Sequence, residues 1–171
     1  MESCSSAALS QYQGLPYPDS RVDGEVLSDG GSLRLASRLS PAVAPDQVVR
    51  AWPLRELPED LIDAWNTSRE SWLFEDLDYG QWGLHLLTPE MSAFVTRRER
   101  TSRPDDIHEN DIVVGEFLGD SDLLIMSCGP DGDRVIIAGP INGREGWVII
   151  GPSFCAFLSL FLDAAGEKFW E

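Results

Sequence analysis

Residues 115–126 read Gly-Glu-Phe-Leu-Gly-Asp-Ser-Asp-Leu-Leu-Ile-Met, so two apolar runs flank the turn-forming Gly-Asp-Ser-Asp. A second turn composition, Gly-Pro-Asp-Gly-Asp, follows at residues 129–133 and leads into the apolar run 134–138. Another apolar run, Gly-Trp-Val-Ile-Ile, occupies residues 146–150. Because Gly, Asp, Ser and Pro favour tight turns between β-branched runs, this pattern predicts successive antiparallel strands, a meander.

Helix signals lie on both sides of the predicted meander. Residues 57–60 (Leu-Pro-Glu-Asp) and 88–90 (Thr-Pro-Glu) each place a proline and an acid in a first helical turn. Residues 45–50 favour a short helix, and the apolar stretch 155–165 predicts a closing helix. This order predicts an α+β fold, in which a single antiparallel, mostly meander sheet carries its helices on one face.

The N-terminal part of the chain differs in composition from the rest. Residues 1–31 are rich in Ser, Gly, Pro and Asp, which favours an irregular or poorly ordered segment. Residues 32–171 are then expected to form one α+β domain. Within it, residues 72–84 mix aromatics, acids and glycines, and are expected to form a loop that leads into a strand over residues 81–86.

The charge balance limits the partners of the chain. The 171 residues contain 29 Asp and Glu but only 13 Lys and Arg, a formal net charge of -16. Phosphate contacts need clustered cations, so this balance argues against nucleic acid and against an anionic membrane surface. A strongly acidic chain either attracts basic partners by long-range electrostatics or merely keeps the protein in solution.

The cysteines and the apolar segments bear on the compartment. Cys4, Cys128 and Cys155 are far apart, and their spacing suggests neither a disulfide framework nor a zinc site. Cys128 and Cys155 lie in apolar runs and are expected to be ordinary buried thiols. The start of the chain lacks a secretory signal pattern, and the apolar segment 154–162 is too short to span a bilayer. The sequence therefore predicts a cytoplasmic protein.

Several short motifs occur in a fixed order along residues 40–165. They are Leu-Pro-Glu-Asp-Leu at 57–61, Trp-Gly-Leu-His-Leu-Leu-Thr-Pro at 82–89, Gly-Asp-Ser-Asp-Leu-Leu at 119–124, Asp-Gly-Asp-Arg-Val at 131–135, Trp-Val-Ile-Ile at 147–150 and Ser-Phe-Cys-Ala-Phe-Leu at 153–158. In this order the chain resembles the SUKH superfamily, which includes fungal regulators of cell-wall synthesis and bacterial immunity proteins. It departs from that pattern at residues 66–70, where the family usually has Asn-Gly.

The resemblance implies a SUKH-like fold and a non-enzymatic protein-binding domain without a cofactor. Bacterial members of the family are antidotes that bind toxins, often nucleases, so the implied partner is a basic toxin domain. The fungal members imply an alternative, a regulatory scaffold that recruits cellular proteins.

Two groups of residues are candidates for the partner surface. The first combines aromatic and acidic residues, and the second is an acidic hairpin turn. The candidates are Trp72, Glu75, Asp76, Asp78, Tyr79, Trp82, Asp120 and Asp122. An apolar anchor with a charged rim is typical of interfaces. The alternative is that the aromatics fill the core while the acids face water or stabilise turns.

The sequence provides no catalytic set and no cofactor or metal motif. His85 lies in an apolar run and His108 in a polar one, and no Gly-x-Ser-x-Gly element accompanies them. The acidic turn is followed at once by apolar residues, whereas a calcium loop needs regularly spaced oxygen ligands and a late Glu. We therefore expect no enzymatic activity; a small hydrolase that uses either histidine is a third hypothesis.

Overall fold

A computed structural model describes Leu9 and residues 21–28, 31–53, 55–130 and 132–171. In chain order the elements are β1 (Arg21–Ser28), β2 (Gly31–Leu39), α1 (Pro45–Ala51), α2 (Glu59–Thr67), β3 (Ser71–Asp76), β4 (Leu84–Leu86), α3 (Pro89–Ser102), β5 (Asp111–Phe117), β6 (Leu123–Gly129), β7 (Gly132–Ala138), β8 (Val148–Gly151) and α4 (Phe154–Asp163). The eight strands form one sheet in which each strand pairs antiparallel with its sequence neighbours. The expected α+β class with a single meander sheet is confirmed.

The helix starts follow the capping chemistry of the sequence. The hydroxyl of Thr88 accepts a hydrogen bond from the Met91 backbone N–H at 3.1 Å, and Pro89 occupies the first position of α3. The Ser153 hydroxyl accepts from the Ala156 N–H in the same way, also at 3.1 Å. Both bonds satisfy a backbone donor that has no partner within its own helix.

The central strands β5 and β6 are buried on both faces of the sheet, and their apolar residues occupy successive positions. Residues such as Ile112 and Val114 face a core built with α1, α2 and α4, whereas Val113 faces a second cluster. Val95 of α3 belongs to that second cluster. The expectation that the helices pack on one face of the sheet is thus correct for α1, α2 and α4. The remaining helix, α3, packs on the opposite face.

Two expectations along the first half of the chain are wrong. Residues 21–28, expected to be irregular, form β1, while residues 1–8, 10–20 and 29–30 lie outside the described residues. Residues 72–76, expected to be part of a loop, lie in β3, and the next strand begins only at Leu84. Phe74 has φ 53°, so Leu73 and Phe74 are both buried and the alternation that marks a strand is interrupted.

A buried ion pair joins β5 to the segment before β8. The Asp111 side chain is 0% exposed, and its Oδ2 accepts hydrogen bonds from Arg144 Nη1 at 2.6 Å and from the His108 N–H at 2.7 Å. Arg144 Nη2 donates to Oδ1 at 3.2 Å. The guanidinium of Arg144 also lies 5.4 Å from the ring centre of the buried Trp147. The carboxylate is thereby fully satisfied inside the fold.

The cysteines depart from expectation at one position. Cys155 is disulfide-bonded, so the prediction that it is an ordinary thiol is wrong; residue spacing alone does not reveal which sulfurs approach one another. Cys4 lies outside the described residues. Cys128 is a free thiol, as expected, and burial together with the charge of Asp133 raises its pKa to about 11. None of the helices in the described part of the chain combines the length and apolar character needed to cross a bilayer.

Candidate functional site

Two turns and the C-terminal segment meet at one end of the sheet. The Leu118 N–H donates to the Gly83 carbonyl at 2.9 Å, which ties the β5–β6 turn to the β3–β4 turn. The indole N–H of Trp82 donates to the Gly166 carbonyl at 3.1 Å, which ties the C-terminal segment to both. We call this surface the acidic end and define it as residues 77–83, 118–122 and 164–171.

Gly119 allows the two turns to approach so closely. Its φ is 91°, and a Cβ built there would lie 2.3 Å from the Gln81 carbonyl oxygen. Any larger residue would push the turns apart. The contact between residues 77–83 and 118–122 therefore depends on this glycine.

The C-terminal segment supplies a cation to the acidic turn. Lys168 is the only lysine of the chain, and its side chain is 9% exposed. Its ammonium group is hydrogen-bonded to Asp120 and lies 3.5 Å from carboxylate oxygens of Asp122 and Glu171. Burial disfavours the charge, but the bond to Asp120 and the three carboxylates outweigh it and raise the pKa of Lys168.

Replacing Lys168 with methionine is expected to lower the free energy of unfolding at pH 7. Since the lysine pKa is raised in the folded state, its contribution is present in full below the unfolded-state pKa and is lost as the pH rises through the folded-state pKa. The stability gap between wild type and Lys168→Met should therefore stay constant up to about pH 10 and narrow as the pH passes about 10.4, the pKa of an ordinary lysine. Urea unfolding of both proteins between pH 7 and 11 measures this gap.

Arg34→Met is the matched control, because it removes the other basic side chain beside the acidic end. The guanidinium does not titrate in this range, so the gap for Arg34→Met should stay constant. A Lys168→Met gap that is equally constant would contradict the raised pKa.

Asp76 and Asp78 have different roles in the β3–β4 turn. Asp76 is 3% exposed, and its carboxylate accepts hydrogen bonds from the backbone N–H groups of Asp78 at 2.9 Å and Gln81 at 3.4 Å. It therefore shapes the turn and is not available to a partner. Asp78 pairs with Arg34 of β2 at 2.5 Å, and the hydrogen bond from that guanidinium holds the pKa of Asp78 below its usual value.

Tyr79 is the most exposed aromatic side chain of the acidic end. Tyr79 is 77% exposed at the tip of the β3–β4 turn, and its neighbour Leu77 is 42% exposed. Trp82 is half-buried and packs against the main core. An exposed tyrosine beside carboxylates combines apolar contact area with a charged rim, which suits protein recognition.

The two remaining candidates, Trp72 and Glu75, lie away from this end. The Trp72 ring stacks on His85 of β4 with 3.7 Å between ring centres, and the Arg38 guanidinium lies 5.1 Å from its centre. Glu75 forms an ion pair with the same Arg38. The structure therefore places five of the eight candidates in the acidic end and Asp76 directly beneath its turn, while Trp72 and Glu75 belong to a separate cluster on β2–β4.

Sequence reasoning missed the C-terminal part of the acidic end. Glu167 and Glu171 are exposed, Phe169 is 39% exposed, and the Trp170 ring packs edge-on against Phe117 with 5.1 Å between ring centres. The sequence did hold a signal for a structural contact here. The chain is rich in acids and has a lone lysine, which is followed at once by Phe169-Trp170.

The histidines do not form a catalytic pair in this arrangement. Nε2 of His85 lies 2.7 Å from Glu70 Oε1, while the ring stacks on Trp72. His108 is exposed in the turn before β5, where its backbone N–H binds Asp111. Throughout the described ranges, no three His, Cys, Asp or Glu side chains are grouped so that they could hold a metal ion. The acidic end itself presents carboxylates and exposed apolar side chains to solvent.

Comparison with known proteins adds no family assignment, since no protein-family model and no curated protein matches the chain.

Proposed function

We propose that the chain is a non-enzymatic protein-binding domain of SUKH type that acts as an immunity protein. The acidic end would dock on a basic toxin domain, such as a nuclease, and exclude the substrate of the toxin. The observation that supports this proposal is the convergence of the exposed Tyr79 with carboxylates from three separate segments. The immunity role is proposed because the order of motifs in the chain resembles that of the SUKH superfamily.

Charge favours a basic partner at this surface. The acidic end holds five acidic side chains, against its own Lys168 and the neighbouring Arg34. The acids are Asp78, Asp120, Asp122, Glu167 and Glu171. An excess of negative charge accelerates encounter with a cationic surface and loses its effect as salt screens it. The association rate with the cognate toxin should therefore fall steeply between low and physiological salt.

Replacing Tyr79 with alanine is expected to weaken toxin binding by about 10- to 30-fold, as loss of an exposed aromatic anchor does in protein interfaces. The full chain is co-expressed with toxin domains encoded beside its gene, growth rescue is scored, and the dissociation constant of the purified complex is measured. Phe94→Ala is the matched control, because Phe94 is 52% exposed on α3 and lies outside the acidic end.

Rescue by wild type and Phe94→Ala together with weakened rescue by Tyr79→Ala is the expected pattern. Equal effects of the two substitutions would place the interface elsewhere. Capture of acidic or neutral cellular proteins without rescue would favour the regulatory scaffold. Turnover of a small substrate that depends on His85 or His108 would replace both hypotheses by a hydrolase.

A cytoplasmic location is part of this proposal, and the state of Cys155 tests it. Disulfides are rare in the reducing cytoplasm, so a cytoplasmic chain should carry Cys155 as a thiol in growing cells and as a disulfide after purification in air. Alkylation of thiols at the moment of lysis, followed by peptide mass mapping, distinguishes the two states. A Cys155 disulfide already present in cells would contradict the cytoplasmic location.

A further inference from the structure

A pocket of about 710 Å³ lies between the C-terminal end of α1, the second half of α3 and the turn before β5. Its lining includes Trp52, Arg55, Arg97, Arg100 and the free thiol Cys128. We call it the arginine pocket. It is formed by elements other than the two turns and the C-terminal segment of the acidic end, so it does not depend on the function proposed above.

Two of these arginines donate hydrogen bonds to the same uncharged backbone carbonyls. Nη1 of Arg55 donates to the backbone carbonyls of Glu109 at 2.9 Å and Asp111 at 3.4 Å. Nη2 of Arg100 donates to the same two carbonyls, at 3.0 and 3.2 Å. The two guanidinium groups are therefore held side by side, and a backbone carbonyl has no net charge with which to neutralise them.

No carboxylate of the described residues lies within ion-pair distance of Arg55, Arg97 or Arg100, although Glu56 and Glu109 also line the pocket. By contrast, Arg34, Arg38, Arg69 and Arg144 each pair with an acid. In a chain with more than twice as many acids as bases, three neighbouring guanidinium groups that form no ion pair are unexpected.

The arginine pocket also contains buried hydrogen-bond donors that have no acceptor. In the described part of the chain, the indole N–H of Trp52 and the Nε–H of Arg100 are buried and have no hydrogen-bond partner. A buried donor without an acceptor costs free energy, and in native proteins such groups usually point to a missing partner. Both residues line the arginine pocket, so the acceptors that these two donors need are missing there.

We propose that the arginine pocket binds the phosphoryl group of a small phosphorylated molecule. A phosphate monoester carries a charge close to -2 and three acceptor oxygens, which matches several guanidinium groups better than a single carboxylate does. Arginine forks fit phosphate geometry, and the cavity has the volume of a small-molecule site. The net charge of -16 repels polynucleotides, so the ligand is a small molecule and not a nucleic acid.

Calorimetric titration of the full chain with inorganic phosphate, adenosine monophosphate and citrate tests the proposal. Saturable one-site binding of phosphate or of the nucleotide is expected, and preference for the nucleotide would identify an organic phosphate as the ligand. Arg97→Gln should weaken this binding by about 10-fold, the loss of one charge-assisted hydrogen bond. Arg97 is exposed, so its replacement leaves the fold intact. Arg69→Gln is the control, because Arg69 is an exposed arginine paired with Glu90.

Alkylation of Cys128 provides a second readout that needs no assay of activity. Because Cys128 lines the pocket, saturating phosphate or nucleotide should slow its modification at least several-fold in wild type and much less in Arg97→Gln. Tighter binding of citrate, equal weakening by Arg69→Gln, or no saturable binding of any phosphate would overturn the proposal.

Discussion

Replacing Asp111 with alanine is expected to lower the free energy of unfolding by about 3–5 kcal/mol, the usual cost of removing one partner of a buried ion pair. The substitution leaves the guanidinium of Arg144, 23% exposed, without its carboxylate. It also removes the acceptor of the His108 N–H. One substitution therefore leaves both a charged guanidinium and a neutral backbone N–H without their acceptor. Urea unfolding at pH 7, followed by tryptophan fluorescence, measures the loss.

Asp105→Ala is the matched control for this experiment, because Asp105 is an exposed acid in the neighbouring turn. Its replacement should change stability by no more than about 0.5 kcal/mol. A second variant, Arg144→Met, should be destabilised as strongly as Asp111→Ala is. A loss below about 1 kcal/mol for both partners would show that the pair adds little to the fold.

Truncation of the Phe161 side chain is the second substitution expected to lower the free energy of unfolding strongly. Phe161 is 0% exposed on α4, and its ring packs against Phe74, Phe117 and Phe157 with ring centres 5.6 to 6.0 Å apart. Phe161→Ala leaves a cavity between α4 and the sheet, and should cost about 3–5 kcal/mol of unfolding free energy. Thermal and urea unfolding should both show the loss.

The residue next to it provides the control. Leu160 precedes Phe161 on α4 but is 48% exposed, so Leu160→Ala should cost less than about 1 kcal/mol. Comparable losses for the two variants would mean that helix propensity, and not the aromatic core, sets the stability contributed by α4.

The parts of the fold that local chemistry specifies could be predicted. Turn compositions at residues 118–122 and 129–133 separate β5, β6 and β7, as expected from Gly, Asp and Pro. Thr88 caps its helix through a side-chain hydrogen bond, as its position before a proline indicates. In each case the information lies within four or five consecutive residues.

The parts that depend on distant contacts could not be predicted. β3 was missed because Phe74 interrupts its alternation, and that backbone is held by packing against residues such as Phe161 and Gly166. The acids of the candidate site looked alike in sequence, yet Asp76 is buried in its turn and Asp120 is bonded to a lysine 48 positions away. Pairings between residues so far apart in the chain produce no periodic pattern in the sequence, so they could not be predicted from it.

The unbroken meander also bears on how the chain assembles. Because every strand pairs only with the strands before and after it in sequence, the sheet can grow strand by strand, and the connections are short except at the helical segments 40–70 and 87–110. Local closure lowers the entropic barrier, so rapid folding is expected for a β-rich domain of this size. A nascent chain emerging from the ribosome could add each new edge without waiting for its C-terminus.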